Sequence, residues 1–350
     1  MNLLKSQKIN KILIFRLSSM GDVLLTTPVV RLLRNKYPDA EIDFVTSKPF
    51  AEVYKHNPYI NELIEYDKTL SEGKIIKIKN ELREKKGGKY DIFIDLQKNF
   101  RSKIFRKNIA KKILEVEKNR LQKLSLVYLK KQLFGKIPQI PLQYIKTIEP
   151  LSIEDDGNGL ELWFPEEKQK GFYPPEQGTL PQKGKIKIAV APGAHHKTKQ
   201  YPVELFTAAL NKINQIIKPE FIIIGGIQDI ETTSELAGRL PFQVNDGSGS
   251  TSIIDTARKI NGCHMLLTND TGVMHIAAAR QVPIVTLFGS TVPGFGFAPF
   301  RVKSKILEEN VKCRPCSHIG RDECPKDHFD CMKQISPARV ANAVIETVLI

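Results

Sequence analysis

Three loops of this sequence hold side chains that could move a proton or balance a departing anion. The first is Leu17-Ser18-Ser19-Met20-Gly21-Asp22, set between an apolar run and a helical pattern. Its small residues allow close backbone approach, and Asp22 has two readings. It is a cap on its own helix, or a general base that accepts a proton from a substrate hydroxyl. The second loop is Thr268-Asn269-Asp270-Thr271-Gly272-Val273-Met274-His275, running straight into Ile276-Ala277-Ala278-Ala279. Where small polar residues hand over to a helix, N–H groups and the positive end of the helix dipole suit a diphosphate. His275, in the first turn, either adds a hydrogen bond to phosphate or serves the structure alone. The third loop, Pro192 to Pro202, carries Lys197, Thr198 and Lys199, and lysine is a mobile point charge suited to a leaving phosphate. Gly225-Gly226, with Gln228 and Asp229 beyond, is a fourth element of the same kind. GxxxxGK[ST] and GxGxxG are both absent, which removes a P-loop and weighs against a dehydrogenase.

A separate cluster lies near the end: Cys313, Cys316, Cys324 and Cys331 fall within 19 residues and open with a CxxC. Four thiols at that spacing have three readings, namely a tetrahedral structural metal with His318 and His328 as substitute ligands, a disulfide pair, or free thiols. The cluster follows the phosphate-type loops, so a catalytic role is not expected. Cys263 precedes an apolar run and reads as a small core residue.

These loops need a scaffold. Apolar runs of strand length at 11–16, 41–46, 62–67, 91–96 and 112–117 alternate with helical stretches at 22–37, 71–86, 100–110 and 119–134. Pro28 is expected to bend the first helix without ending it. Between 135 and 184 the rhythm breaks on Pro138, Pro141, Pro150, Pro165, Pro174, Pro175 and Pro181, as an interdomain connection with an irregular strand would. A second alternation places strands at 187–192, 220–225, 264–270 and 283–289, with helices at 202–217, 229–239, 251–260 and 273–280. The reading is α/β: two facing, doubly wound Rossmann-like domains with a cleft between them. Their expected bounds are 1–165 and 166–336, with a closing helix over 337–350 that packs back on the first domain. In such sheets ligands bind beyond the carboxyl ends of strands, where all four loops fall.

Composition excludes several classes. At 41% hydrophobic and 26% charged over 350 residues, the chain is not disordered. Charges interrupt every apolar stretch short of a membrane span, and MNLLKSQKINK lacks a signal-peptide pattern, so a cytoplasmic protein is expected. The formal charge is +15, and residues 1–150 hold 31 bases against 16 acids while 151–350 hold 22 of each. An excess confined to one half of the sequence calls for an anionic partner: nucleic acid, an acidic membrane surface or a phosphorylated substrate.

Taken in order, RLSSMGDVLLTTP near the start, KQYP at 199–202 and NDTGVMHIAAA at 269–279 resemble the lipopolysaccharide heptosyltransferases of glycosyltransferase family 9. The resemblance implies the GT-B architecture and inverting transfer of heptose from an ADP-heptose donor to the lipopolysaccharide inner core. It makes Asp22 the general base and Lys199 the contact to donor phosphate. Thr198, Asp229, Asp270, Thr271, Gly272 and His275 become donor-binding positions. Gln200 and Tyr201 depart from the residues common in relatives. On the acceptor side it points to Ser19, Gly21, Lys98, Arg101, Ser102 and Arg120, with Lys103 and Arg106 as further bases. No cofactor is required beyond the donor. The partners implied are the nucleotide sugar, an anionic lipid acceptor and the cytoplasmic surface of the inner membrane, with no nucleic acid, for a chain acting as a monomer. Another nucleotide-sugar glycosyltransferase, an epimerase of similar build and a nucleic-acid-binding protein are the competing readings; the last lacks any recognised motif.

Overall fold

The computed structural model describes residues 8–67, 69, 71–174, 185–249 and 252–349. Pro175, Pro181, position 251 of one expected helix and the MNLLKSQ start lie outside the described residues. The chain divides into two compact units, 1–118 with 140–172, and 119–139 with 173–350.

In the first unit, β1 (Lys11–Phe15), β2 (Glu41–Ser47), β3 (Glu62–Tyr66), β4 (Tyr90–Asp95) and β5 (Ala110–Glu115) form a wholly parallel sheet in the order β3-β2-β1-β4-β5. Consecutive residues of β1 and β4 are buried, so both faces of the sheet are covered. That is why these strands read as unbroken apolar runs. The long helix expected from Asp22 to Tyr37 is instead two helices, Met20–Leu24 and Thr27–Lys36. Pro28 has no N–H to donate and sits in the first turn of the second helix, where none is needed. Thr26 and Thr27 hydroxyls donate to the carbonyls of Val23 (2.6 Å) and Leu24 (2.8 Å), which satisfies the end of the first helix. The proline-rich stretch supplies a helix at Ile140–Lys146 and a buried irregular segment, Leu160–Phe164, both within this unit.

The second unit has β6 (Lys187–Ala191), β7 (Glu220–Ile223), β8 (Asn245–Asp246), β9 (Met265–Asn269), β10 (Ile284–Phe288) and β11 (Ser304–Glu308), parallel in the order β11-β10-β9-β6-β7-β8. β8 and β11 were not foreseen: one is two residues long, and SKILE alternates too weakly to stand out. The closing helix, Pro337–Leu349, expected to pack back on the first domain, belongs to this unit. Its Val340, Ala341, Val344 and Val348 join the core of this unit beside helix Val203–Ile217.

The segment 119–139 also belongs here. Leu126 and Ile137 share a small apolar core with Phe295, so a stretch numbered in the first half is structurally part of the second. Counted over the sequence of the two units, the first holds 28 bases and 22 acids and the second 25 and 16. The charge asymmetry along the sequence therefore does not survive as an asymmetry between units.

Candidate active site

Each sheet reverses its strand order once, between β1 and β4 in the first unit and between β6 and β9 in the second. Connections leave such neighbours in opposite directions and open a crevice at the carboxyl ends of the strands. The loops carrying Asp22 in the first unit and Lys199 and Asp270 in the second leave the strands there.

In the first unit the register sets Phe15 beside Asp95, so the loops after β1 and β4 leave level with each other. Arg16 Nη1 donates to the Leu96 carbonyl at 2.6 Å, and the Leu17 amide donates to Gln97 Oε1 at 2.9 Å. Asp22 is not the helix cap; Ser19 is. The Asp22 Oδ2 reaches back to the Ser19 amide (3.1 Å) and hydroxyl (2.9 Å), while Oδ1 meets Arg16 Nη2 at 2.8 Å. Its side chain keeps 20% of its surface exposed. Asp22 is thus the acid of a capping box that braces its own loop, and its side chain remains partly exposed.

Arg16, Gln97 and Tyr144 are the residues the sequence reading missed. The Arg16 guanidinium lies 5.5 Å from the buried Tyr144 ring, which the 140–146 helix delivers. Burial works against the Arg16 charge, yet Asp22 and Tyr144 outweigh it and raise its pKa above the ordinary guanidinium value. Burial, chiefly, pushes the Tyr144 hydroxyl up as well. None of this was visible beforehand, because Arg16 ends a strand and Tyr144 lies among prolines.

Of the acceptor-side residues, Ser19 is exposed and Gly21 buried in the same loop as Asp22. Ser102 is fully buried: its hydroxyl donates to Asp95 Oδ2 at 2.7 Å, and its amide donates to Asn99 Oδ1 at 3.0 Å. Asp95 Oδ1 accepts from the Lys98 amide at 2.6 Å, so this turn is held from within. Lys98 and Arg106 both pair with Glu115, at 3.0 Å for the lysine. Arg101 is exposed on the helix Phe100–Arg106. Arg120 is not among them; it begins a helix in the second unit.

In the second unit, Ala191 pairs with Thr268, which sets the loops after β6 and β9 side by side. Asn269 ties them, donating from Nδ2 to the Pro192 carbonyl (2.7 Å) and accepting the Tyr201 amide at Oδ1 (3.1 Å). Lys199 Nζ then lies 2.7 Å from Asp270 Oδ2, which also accepts the Thr291 hydroxyl at 2.7 Å. Thr271 caps the helix Gly272–Ala279, and His275 is buried within it. Thr198 is buried and bonded on every side: its hydroxyl donates to the Arg321 carbonyl (2.8 Å) and accepts from Ser290 (2.9 Å) and the Arg321 amide (2.8 Å). Tyr201 is a core residue whose hydroxyl donates to the Ile335 carbonyl at 2.6 Å.

Asp229 turns inward at the end of β7. Its Oδ2 accepts the Gly226 amide at 2.9 Å, and burial raises its pKa more than that bond lowers it. A Cβ on Gly193 would meet Asp229 Oδ1 at 2.1 Å, so only glycine lets the β6 and β7 loops close on each other.

The cysteine loop braces this same edge. Arg314 is buried and donates to the carbonyls of Gly289 (2.5 Å), Phe288 (3.1 Å) and Thr291 (2.8 Å), while the Cys316 amide donates to the Ser290 carbonyl (2.9 Å). The cysteines are free thiols, with burial chiefly pushing Cys331 up to about 12. Cys313 Sγ lies 3.8 Å from His328 Nε2. Among the described residues no three His, Cys, Asp or Glu side chains assemble a metal site.

A family model described as glycosyltransferase family 9 (heptosyltransferase) matches residues 75–326, more than two thirds of the chain. The chain belongs to that family. This family 9 glycosyltransferase is 26% identical over 337 residues to the lipooligosaccharide heptosyltransferase 2 of Campylobacter jejuni, spanning 94% of this chain and 96% of that one. Its fold is similar to a family 9 glycosyl transferase from Veillonella parvula, with a TM-score of 0.76, 22% identity and 99% of each chain covered. It is also similar to the E. coli heptosyltransferase WaaC solved with ADP, with a TM-score of 0.68, 18% identity, and 96% and 99% of the two chains covered. The architecture is therefore GT-B, built from two α/β units with parallel sheets.

Proposed function

We propose that this glycosyltransferase moves heptose from ADP-heptose to the inner core of lipopolysaccharide, inverting the anomeric centre in one displacement. The observation that carries the proposal is the Lys199–Asp270 pair, fixed by Thr291 and Asn269 where the second sheet reverses order, directly before a helix N-terminus. A cation and oriented N–H groups at one point answer the charge of a departing diphosphate.

In this reaction the acceptor hydroxyl oxygen forms a bond to the anomeric carbon as the bond to the diphosphate oxygen breaks. The proton passes to Asp22, and ADP leaves with the bonding electrons. Arg16 and Ser19 orient the Asp22 carboxylate, while Lys199, Thr271 and Gly272 meet the diphosphate. Asp270 holds Lys199 in place, and Asp229 lies at the same sheet edge for the ribose. His275 and Thr198 position the backbone around them. Lys98 and Arg101 face the anionic acceptor, and Ser102 fixes their turn. The chain acts as a monomer at the cytoplasmic face of the inner membrane. Among the described residues no helix is long and apolar enough to cross a bilayer.

Replacing Asp22→Asn tests the base. ADP affinity should stay within about twofold while turnover falls by on the order of a hundredfold or more, read as acceptor-dependent ADP release. Parental turnover in a folded variant would remove the assignment. Product analysis without acceptor separates an epimerase, which would alter the donor sugar alone.

A further inference from the structure

Fifteen large hydrophobic side chains are exposed among the described residues, and six of them fall between Leu121 and Phe134. Isolated exposed leucines need no explanation; a cluster does. Helix Arg120–Leu124 runs on through a wider, π-type turn to Leu129. One side of this arm is anchored. Ser125 and Leu126 are buried, the Leu133 amide donates to Ser125 Oγ at 3.2 Å, and Lys130 Nζ donates to the Pro315 carbonyl at 2.6 Å. The arm's exposed surface carries Leu121, Leu124, Tyr128 and Leu129, with Leu133 and Phe134 continuing beyond the helix. Tyr128 is 76% and Leu121 64% exposed. An amphipathic helix ordinarily turns such side chains toward the core; here they are left to solvent.

Charge selects the occupant. From Arg120 to Lys136 there are five bases and no acid. A second copy of the same arm would set its positive charge against an equal one, and a neutral apolar partner would leave exposed bases such as Lys131 and Lys136 without a counter-charge. An anionic bilayer answers both features, since aliphatic and tyrosine side chains enter the headgroup boundary while lysines and arginines stay among the phosphates.

We propose that the 120–136 arm of the second unit docks this protein on an anionic lipid surface. The inference deepens the reading above, since a lipid-anchored acceptor would be met in that plane, but lipid binding is measured without any transfer. Each base near such a surface is worth about fivefold in partitioning at low salt, and that part fades as ionic strength rises.

The test is flotation of the full chain with vesicles of phosphatidylcholine alone and with about 30% phosphatidylglycerol added. The parent should float with the anionic vesicles and be released by salt. Leu124→Gln, Tyr128→Ser and Leu129→Gln together should cut binding at least about tenfold at low salt. Lys131→Gln with Lys136→Gln should cut the preference for anionic vesicles by about tenfold or more. All five side chains are exposed, so circular dichroism and thermal melting should match the parent. Failure of the parent to bind, or parental binding by the triple variant, overturns the proposal. So does a triple variant that changes oligomeric state in sedimentation while still binding vesicles, because the face would then join copies of the chain. With a delipidated core acceptor the triple variant should transfer at the parental rate, and with a vesicle-embedded acceptor it should lose most activity. Vesicle binding without transfer by the parent to either acceptor would defeat the transferase reading and leave the docking face standing.

Discussion

Asp22 and Lys199 are held by partners that do not adjoin them in sequence. Oriented by Arg16 and Ser19, Asp22 presents a carboxylate whose side chain is still one-fifth exposed. Lys199 is aimed by Asp270, which Thr291 in turn holds. A cation serving a departing phosphate should matter more to turnover than to folding. Lys199→Met is therefore expected to lower turnover by on the order of a hundredfold and to weaken ADP binding in calorimetry, with a melting temperature close to the parent's. Loss of folding with no change in ADP affinity would make Lys199 a purely structural partner of Asp270. The chemistry-bearing residues were legible because RLSSMGD, KQYP and NDTG sit on short loops that hand strands to helices. Their supports were not. Gln97 and Thr291 are ordinary residues until the sheet sets distant strand ends next to each other, and Arg16 and Asn269, though inside the motifs, give no sign in sequence of what they hold.

Among the elements, helix Thr27–Lys36 shows how a polar cluster pins a loop to a scaffold. Arg31 is buried and forms bonds to both Asp156 oxygens, at 2.7 and 3.0 Å, and to Glu161 at 2.8 Å. Burial alone would raise the Asp156 pKa, but Arg31 and the Asn158 amide outweigh it and bring it down to about 2. A carboxyl held below its unfolded value stabilises the protein above that unfolded value, and the contribution disappears as pH falls through the folded one. The gap in melting temperature between the parent and Asp156→Asn should thus be widest near neutrality and close between about pH 4 and pH 2. A gap independent of pH would show that the pairing contributes nothing. The strands were read from sequence to within a few residues, since a run buried on both faces leaves an unmistakable apolar signature. The break at Leu25–Thr26 was not, because it depends on threonine hydroxyls closing a helix end that proline leaves open.

For the molecule as a whole, the units do not follow the order of the chain. Residues 119–139 interrupt the first unit and complete the second through Leu126, Ile137 and Phe295. Phe295 is 1% exposed at the centre of that contact. Phe295→Ala should cost about 3 kcal/mol or more in the stability of the second unit and should expose the 119–139 arm to protease. Denaturant melts that leave the arm protected and the midpoint unmoved would refute this packing. The positive excess also redistributes, because the arm carries its five bases into the second unit.

By itself the sequence determined the α/β class, the positions of the long strands, the loops that lead from strand ends into helices and the kinship with family 9. All of these are written within windows of ten to twenty residues, as apolar periodicity, turn residues and short motifs. Only the tertiary structure decided which side chain holds Asp22, which holds Lys199, where the closing helix packs and which unit owns the basic arm. Most of those outcomes depend on strand order and burial between segments far apart in the chain, 71 residues for Lys199 and Asp270, and no local pattern records which distant segment a buried surface will choose.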